Sequence, residues 1–394
     1  MCDMNVIETP FSCERNGLQI RGRQYVPGGE QKNKKYPVII VSHGFTGNYI
    51  SVEDYCRAFA RMGYAAFGFN FCGGGKMDED ISFKSDGAST KSTIFTEVED
   101  LIAVKDYVKE LPFADEKNLI LAGVSQGGLV SGLAAAKCKE EIKKLIMIYP
   151  ALCIPDHARR GRLGGSRYDV NHVPEIIDCK VTRLGKVFHD SVVSMDVFLE
   201  LSAYKGPVLI LQGLKDEIVN YSYAIQAKET YEKGQCHLQL IRDAGHGFNK
   251  IQKNCAVASI KQFLLGHKEL LTVRLIVTKK ELVTDDGYRK SRIYFTGYCD
   301  TECFHGTVLP GGCDTQEYDQ EKLTKERAEY TLQGVDMEGE MCSLYVVNQK
   351  VGEEWKPVIE TNSKNLLWLN NADLTAILEE SKEGPVVRIF GQLA

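Results

Sequence analysis

The chain has 394 residues, of which 43% are apolar and 26% are charged; this balance is typical of a folded globular protein rather than a disordered or fibrous one. At this length we expect two domains of unequal size. A formal net charge of -5, from 53 acidic and 48 basic residues, provides no basic surface for a polyanion and argues against nucleic acid as a partner.

No segment of the sequence resembles an export signal or a membrane span. The first thirty residues lack a basic stretch followed by an apolar core, and no apolar run reaches the roughly 18 residues that a transmembrane helix needs. The 13 cysteines are odd in number and scattered, which favours reduced thiols over a disulfide framework. We therefore expect a cytoplasmic protein with no membrane partner.

In the first two thirds of the chain, short β-branched apolar runs alternate with longer amphipathic stretches. The apolar runs predict strands at 37–43, 64–71, 118–125, 143–150, 206–213 and 237–245. Helical periodicity predicts helices at 51–63, 93–111 and 254–266. Continuous Val, Ile and Leu runs separated by helices are typical of a mostly parallel sheet that is covered on both faces. The sequence thus predicts an α/β domain over residues 1–268.

Two regions depart from this alternation. Residues 150–205 are rich in Arg, Gly and His and too long for a simple connection, so we expect an inserted cap over one end of the sheet. After about residue 266 the apolar segments shorten, and they predict strands at 271–278, 291–298, 327–335 and 341–348. Both tryptophans, Trp355 and Trp368, also lie in this part of the chain. Turn residues separate these segments, which predicts a smaller second domain over 269–394, an antiparallel β-barrel.

The most informative motif is Gly123-Val124-Ser125-Gln126-Gly127, which follows an apolar run and precedes a stretch of small residues. A G-x-S-x-G motif at a strand-to-helix turn raises the serine hydroxyl above the sheet, because the flanking glycines allow the tight backbone of that turn. A solvated serine in a Gly-rich turn is the alternative interpretation. The context of the motif favours a nucleophile at Ser125.

A serine nucleophile needs a general base, and the base needs an acid that orients it. Asp216 and His246 each follow a predicted strand. Because loops at the carboxyl ends of parallel strands meet at one sheet edge, Ser125, Asp216 and His246 can come together in that chain order. Glu217 or Asp243 could serve in place of Asp216.

Acyl transfer also needs hydrogen-bond donors for the oxyanion that develops on the substrate. The segment from Ser42 to Gly47 follows the first predicted strand, at the position where such a donor is expected. We assign the two donors to the backbone N–H groups of Phe45 and of Gln126, the residue after the nucleophile. His43 lies beside Phe45 and is expected to be structural.

Together these motifs resemble the α/β-hydrolase superfamily, and residues 6–266 look most like bacterial feruloyl (cinnamoyl) esterases. The similarity is carried by HGFTGN at 43–48, SDG at 85–87, GVSQGG at 123–128, QGLKDEIV at 212–219 and DAGHGF at 243–248. The resemblance implies a Ser125–His246–Asp216 triad, an oxyanion hole at Phe45 and Gln126, and a cap that shapes the acyl pocket. It does not name the substrate, because related peptidases and general esterases share these motifs.

Within the cap, the resemblance implies two substrate-binding positions. In feruloyl esterases an aspartate and a tyrosine contact the phenolic hydroxyl of the aromatic acid, and these positions look like Asp156 and Phe188 here. Phe188 has no hydroxyl and cannot hydrogen-bond a phenol. The cap also holds arginines that could bind a substrate carboxylate or form a solvated basic loop: Arg159, Arg160 and Arg162.

The second domain is similar to a small bacterial all-β family of unknown function. The matching segments are GTVLPGG at 306–312, AEYTLQGVDMEGE at 328–340 and LLWLNNAD at 366–373. The resemblance implies a compact barrel and no particular chemistry; the barrel could cover the pocket, bind the non-acyl part of the substrate or form a homodimer face. No metal is expected, because the nearest candidate cluster lacks a CxxC pair: Cys299, Cys303, His305 and Cys313.

The expected function is that of a serine carboxylic-ester hydrolase, which acts without a cofactor on a small or aromatic acyl ester through an acyl-enzyme on Ser125. Its partner is a small-molecule ester. Two alternatives remain open: a serine peptidase or amidase of the same fold, and a hydrolase-like protein that binds a ligand without catalysis.

Overall fold

The α/β fold and the antiparallel β-barrel that the sequence predicts are both present in the computed structural model of the chain. The structure describes residues 5–28, 34–77, 80, 84–285 and 288–392. It divides the chain into two compact units, Met1–Asn249 and Lys250–Ala394. A helix at 250–265, which the expected boundary near residue 268 assigns to the first domain, groups with the second unit.

The strands of the first unit form one large sheet and two short hairpins. They are β1 (Val6–Arg15), β2 (Leu18–Pro27), β3 (Tyr36–Ser42), β4 (Ala65–Phe69), β5 (Ala114–Val124), β6 (Ile142–Ile148), β7 (Arg162–Leu163), β8 (Ser166–Arg167), β9 (Ile176–Asp178), β10 (Arg183–Gly185), β11 (Val208–Gly213) and β12 (Cys236–Ile241). The large sheet has the order β1-β2-β4-β3-β5-β6-β11-β12. From β4 to β12 neighbouring strands are parallel, and the β1-β2 hairpin adds an antiparallel edge.

Burial explains why the central strands carry continuous apolar runs. In β3, the side chains from Val38 to Val41 are all completely buried, on both faces of the sheet. Strands covered on both faces by crossover helices need apolar residues at successive positions, whereas a strand with one wet face alternates. The predicted parallel core is therefore confirmed.

Helices connect the strands. They are α1 (Glu53–Arg61), α2 (Ile94–Lys109), α3 (Gln126–Lys137), α4 (Ile154–Arg159), α5 (Lys186–Val192), α6 (Val197–Ser202), α7 (Ser222–Thr230) and, in the second unit, α8 (Lys250–Leu265). The start of α2 is set by a capping box, in which the Thr93 hydroxyl accepts from the N–H of Thr96 and the Thr96 hydroxyl accepts from that of Thr93. α3 begins directly after Ser125 and brings its first turn to the sheet edge where β5 ends.

The chain between β6 and β11 leaves the sheet, as the inserted cap requires. It contains three short helices, α4, α5 and α6, and the two hairpins β7-β8 and β9-β10. Its apolar residues join the core of the first unit, and Leu163, Ile177, Leu184 and Phe188 are among them. The cap is thus packed on the hydrolase core rather than loosely attached.

The second unit is α8 followed by a closed antiparallel barrel. Its strands are β13 (Lys268–Asp285), β14 (Tyr288–Asp300), β15 (Phe304–Asp319), β16 (Lys322–Asp336), β17 (Met341–Val351), β18 (Glu354–Thr361), β19 (Thr375–Glu379) and β20 (Val386–Gly391). β13 pairs with β20 and closes the barrel, which removes free sheet edges. Completely buried Leu271, Leu332, Leu344 and Ile389 belong to its core.

A buried charge cluster lies within the second unit. The Arg388 guanidinium donates from Nη1 to Oε1 of Glu269 at 2.8 Å and from Nε to Oε2 of Glu379 at 3.0 Å. All three side chains are less than one tenth exposed. Because charges removed from water depend on their partners, loss of the guanidinium would leave two carboxylates without the group that neutralises them.

We expect Arg388→Met to lower the free energy of unfolding of the barrel unit by about 3–5 kcal/mol, since an uncompensated buried charge is costly. Both tryptophans lie in this unit, so tryptophan fluorescence of the full chain in urea reports on it. Arg327→Met is the matched control, because its partner Glu329 is partly exposed and such pairs contribute little. An Arg388→Met transition at the same urea concentration as the control would contradict the prediction.

No helix in the described part of the chain is long and apolar enough to span a membrane.

Candidate active site

Ser125 occupies a strained turn between β5 and α3. Its φ is +52°, in a region that residues with a side chain rarely adopt. The glycines of the motif explain how the turn is tolerated. A Cβ on Gly123 would lie 2.1 Å from the carbonyl oxygen of Gly127, and a Cβ on Gly127 would lie 2.3 Å from that of Ser42. Only glycine fits at these two positions, which is why the motif reads G-x-S-x-G.

The three predicted side chains form a continuous line of hydrogen bonds. The Ser125 hydroxyl oxygen lies 2.8 Å from Nε2 of His246, and Nδ1 of the same imidazole lies 2.9 Å from Oδ2 of Asp216. Along the chain, Ser125 lies 121 positions from His246, and Asp216 lies 30 positions from it. They meet because β5, β11 and β12 are parallel and their carboxyl ends lie at one edge of the sheet.

The Asp216 carboxylate is held by several donors. Its Oδ1 accepts from the backbone N–H groups of Ile218 and Val219 at 2.9 and 2.8 Å, and its Oδ2 accepts from Gln212 at 2.9 Å. Burial raises the pKa of this carboxyl, but the hydrogen bonds from His246, Val219 and Gln212 outweigh burial, and the pKa lies below its ordinary value. Asp216 therefore remains ionised at neutral pH.

The alternative acids lie elsewhere. Asp243 forms an ion pair with Lys215, and Glu217 lies on the wall of the cavity described below. The acid that hydrogen-bonds to the imidazole of His246 is Asp216.

Phe45 and Gln126 both line the cavity around Ser125. Gln126 is the first residue of α3, where backbone N–H groups have no carbonyl of a preceding turn to bond. Gly44, next to Phe45, lets the loop come close, because a Cβ there would lie 3.1 Å from the Cβ of Ser125. His43 is buried and accepts at Nε2 from the N–H of Phe71 at 3.3 Å.

A cavity of about 810 Å³ opens above Ser125 and His246. Apolar side chains from the cap and from the loops after the strands form much of its wall: Phe45, Ile154, Leu163, Leu184, Phe188 and Ile218. Polar residues on the wall include His157, Arg162, Arg167 and Glu217. A concave, mostly apolar site with a few polar groups is typical of a small-molecule pocket.

The two predicted substrate-binding residues separate in the structure. Phe188 is buried and lines the cavity. Asp156 is not among the described residues that line the cavity. Its carboxylate accepts from the Tyr223 hydroxyl at 2.6 Å and from Arg159 at 2.8 Å, which holds the pKa of Asp156 below its ordinary value. Asp156 thus ties α4 to α7.

Behind Gln126 lies a buried carboxyl that the sequence analysis did not identify. Nε2 of Gln126 lies 2.8 Å from both carboxyl oxygens of Glu97. Burial raises the pKa of Glu97 to about 8, although the hydrogen bond from Gln126 lowers it. Glu97 therefore keeps its proton in the folded chain at neutral pH and holds the side chain of the residue that follows the nucleophile.

The raised pKa of Glu97 predicts a dependence of stability on pH. The unfolded chain ionises here near the ordinary value of 4.5, while the folded chain keeps the proton up to about pH 8. The free energy of unfolding therefore decreases as the pH rises from 4.5 to about 8. The decrease amounts to a few kcal/mol, because a shift of one pKa unit corresponds to about 1.4 kcal/mol. We expect Glu97→Gln to flatten the loss between pH 5 and 8.5 in thermal unfolding followed by circular dichroism. Glu110→Gln, at the exposed end of the same helix, should keep the wild-type slope; equal slopes in all three proteins would refute the assignment.

Comparison with known proteins shows the family of the chain. Residues 4–261 match the family model described as acetyl xylan esterase (AXE1). The chain belongs to the acetyl xylan esterase family. The match covers nearly all of the first unit and ends within α8.

Solved structures share the fold of the first unit. Est1E from Butyrivibrio proteoclasticus, solved with ferulic acid bound, is 29% identical, with a TM-score of 0.57 over 65% of this chain and 98% of that chain. DcsB, in complex with its substrate analogue, is 18% identical with a TM-score of 0.52 over 66% of this chain and 99% of that one. The hydrolase GrgF from Penicillium sp. sh18 is also 18% identical, with a TM-score of 0.50 over 66% and 97% of the two chains. The last two support the fold alone. No curated protein matches the chain.

This member of the acetyl xylan esterase family is a carboxylic-ester hydrolase with the α/β-hydrolase fold. The resemblance to that superfamily and to feruloyl esterases is confirmed, and the family match adds acetyl xylan esterases to it.

Two further residues of the candidate site were not identified from the sequence, Tyr149 and Arg167. The Tyr149 ring packs edge-on against the His246 imidazole, with centroids 5.1 Å apart, and against Phe248 at 4.8 Å. Tyr149 lies at the carboxyl end of the strand predicted at 143–150, and this position was the signal that could have identified it. Arg167 was also missed, because it lies five positions beyond Arg162 and reaches the cavity only through a hairpin.

Within the described part of the chain, no group of three or more His, Cys, Asp or Glu side chains is placed to hold a metal ion. The cysteine and histidine cluster of the barrel has other contacts: Cys299 lies 3.9 Å from the Thr301 hydroxyl, and Nδ1 of His305 lies 2.6 Å from Asp300.

Proposed function

We propose that this esterase cleaves a small or aromatic acyl ester in two steps through an acyl-enzyme on Ser125. The observation that carries the proposal is the unbroken line of hydrogen bonds from Ser125 through His246 to Asp216, at 2.8 and 2.9 Å. A serine hydroxyl is a weak nucleophile, and an adjacent oriented imidazole is the usual means of activating it.

In the first step, Ser125 Oγ attacks the ester carbonyl carbon while Nε2 of His246 takes the hydroxyl proton. The negative charge that develops on the carbonyl oxygen is stabilised by the backbone N–H groups of Phe45 and Gln126. Asp216 accepts from Nδ1 and stabilises the imidazolium. The intermediate collapses when His246 returns the proton to the leaving alcohol oxygen, which leaves the acyl group on Ser125.

In the second step, water takes the place of the alcohol. His246 removes a proton from the water as the oxygen attacks the acyl carbon, and the same donors stabilise the second oxyanion. Collapse returns the proton to Ser125 and releases the carboxylic acid. Because Asp216 stays ionised at neutral pH, the imidazole keeps the orientation that both steps need.

The cavity supports an acyl or alcohol group larger than acetyl alone. Its volume of about 810 Å³ is within the range of drug-sized ligand pockets. Leu163, Leu184 and Phe188 provide an apolar wall against which an aromatic acid could pack. The ferulic acid bound to Est1E is a ligand of this kind. Without a hydroxyl at position 188, this site would not hydrogen-bond a phenol through that residue.

Labelling with a fluorophosphonate, followed by peptide mass spectrometry, tests the nucleophile. We expect one adduct on the peptide that contains Ser125, and no adduct on that peptide after denaturation of the protein before labelling. A protein that binds esters without labelling at Ser125 would support the non-catalytic alternative. Turnover of acetyl, butyryl and feruloyl esters, compared with aminoacyl anilides, then separates an esterase from a peptidase.

A further inference from the structure

The hairpin β7-β8 presents two arginines side by side. Arg162 and Arg167 are directly opposed across the antiparallel pair, so their side chains lie on the same face of the hairpin. Both residues line the cavity that contains Ser125 and His246. Leu163 and Ser166, on the other face of the hairpin, line the cavity as well. Leu163 is buried and both arginines are exposed, so the guanidinium groups lie on the solvent-accessible side of the hairpin beside the cavity.

An anion placed between the two guanidinium groups would offset the repulsion between them. Like charges that are directly opposed across two strands repel each other and weaken the pair. Neither guanidinium donates a hydrogen bond to, or forms an ion pair with, another residue in the described part of the chain. Arg159 differs, because it donates to Asp156 and to the carbonyl oxygens of Val193 and Met195. Arg159 is a structural residue of the cap, while Arg162 and Arg167 keep their donors available.

The hairpin holds these donors in place. Gly164 and Gly165 form its two-residue turn, with φ values of +56° and +84°. A turn with positive φ at both residues matches the right-handed twist of the flanking strands, and glycine adopts such φ values at low cost. A Cβ on Gly164 would lie 2.5 Å from Sγ of Cys179 and 2.9 Å from the Phe45 ring. The tip of the hairpin is therefore packed against the loop that also provides Phe45.

The surrounding charges favour an anion. His157 lines the same cavity, and burial together with the nearby charges of Arg160 and Arg162 lowers the pKa of its imidazole. Among the described residues of the cavity wall, one is acidic, Glu217, and two are arginines, Arg162 and Arg167. A guanidinium pair binds a carboxylate through short, charge-assisted hydrogen bonds.

We propose that Arg162 and Arg167 form an anion subsite, which binds a carboxylate carried by the acid or the alcohol part of the ester. The inference rests on the proposed function and narrows it: the preferred substrates are esters that bear a free carboxylate within reach of the subsite. The sequence named Arg159, Arg160 and Arg162 as arginines that could bind a substrate carboxylate. The proposed subsite keeps Arg162 and adds Arg167, and it does not include Arg159 or Arg160.

Two matched pairs of esters test the subsite in the full chain. The first pair is p-nitrophenyl hydrogen glutarate and p-nitrophenyl valerate, in which only the acyl end differs in charge. The second pair is 4-acetoxybenzoate and its methyl ester, in which the leaving group differs. We expect kcat/KM to favour the anionic member of at least one pair, and the preference to decrease as salt screens the exposed guanidinium groups.

In the variant with both Arg162→Gln and Arg167→Gln, the ratio of kcat/KM for the anionic ester to that for the neutral ester should fall about ten-fold or more, since hydrogen bonds to charged groups contribute on this scale. Arg183→Gln is the matched control. It removes one positive charge from the cap, at an exposed residue of β10 that is not among the described residues lining the cavity. The control should keep the wild-type ratio.

Turnover of the neutral esters with no preference for charge in either pair would overturn the subsite and leave the proposed hydrolysis intact. Glutarate binding, measured by calorimetry on Ser125→Ala, tests the subsite independently of turnover. We expect binding that the double arginine variant loses. If the neutral esters are not hydrolysed and Ser125 is not labelled, the proposed function fails, while glutarate binding would still support the subsite.

Discussion

Replacement of Ser125 by alanine is expected to lower kcat for p-nitrophenyl acetate by about 10⁶-fold, as removal of a triad nucleophile does. The physical reason is that no acyl-enzyme can form, so that hydrolysis must proceed by direct attack of water. Residual catalysis of about 10³–10⁴-fold over water should remain, because the oxyanion donors and the binding cavity are left in place. The measurement is steady-state turnover, with the concentration of folded protein determined separately.

Ser131→Ala is the control for this substitution. Ser131 lies on the same helix, α3, and its buried hydroxyl donates to the carbonyl oxygen of Ala122 at 3.0 Å. It has no part in the proposed chemistry, so its loss should change kcat little. If Ser125→Ala retained wild-type turnover, another nucleophile would have to be sought.

Asp216→Asn is expected to lower kcat by about 10⁴-fold, because the imidazole would be held in the wrong tautomer. The backbone N–H groups of Ile218 and Val219 donate to Oδ1, so an asparagine would keep its oxygen toward them. Its amide N–H₂ would then face His246 and donate to Nδ1. The imidazole would carry its proton on Nε2 and could not accept the proton of Ser125.

Asp243→Asn separates this prediction from the alternative that the sequence left open. Asp243 carries the same charge on the loop that leads to His246, and it forms an ion pair with Lys215. We expect its kcat to remain within a few-fold of wild type. A loss at Asp243 as large as the loss at Asp216, measured at saturating ester, would mean that the two acids share the orienting role.

Much of the fold was predictable because buried parallel strands have a distinctive composition. The run predicted as a strand at 37–43 is β3, and the periodic stretch at 93–111 contains α2. β1 and β2 were missed. β1 is at the sheet edge, and of its ten residues only Phe11 is buried, so polar and apolar residues mix along it without a clear run. Strands with so little burial leave a weak signal in the sequence.

In the barrel, too, a strand with little burial was missed in the sequence. Apolar segments predicted four of its strands, at 271–278, 291–298, 327–335 and 341–348, and these lie in β13, β14, β16 and β17. β15 was not predicted, because most of its residues are only partly buried or exposed and it contains Pro310 and three glycines. Pairing with both neighbouring strands supplies hydrogen bonds that local sequence preferences do not reveal.

For the site, the sequence alone determined the residues whose chemistry depends on local backbone: a serine between two glycines at a strand-to-helix turn, and an acid and an imidazole after later strands. These can be read along the chain because each motif is a property of a few consecutive residues. Which acid contacts the imidazole, the hydrogen bond from Gln126 to Glu97, and the pairing of Arg162 with Arg167 were decided only by tertiary structure. Such contacts join residues that are distant in the sequence or set by a hairpin register, and their energies depend on distances and burial that no local pattern encodes.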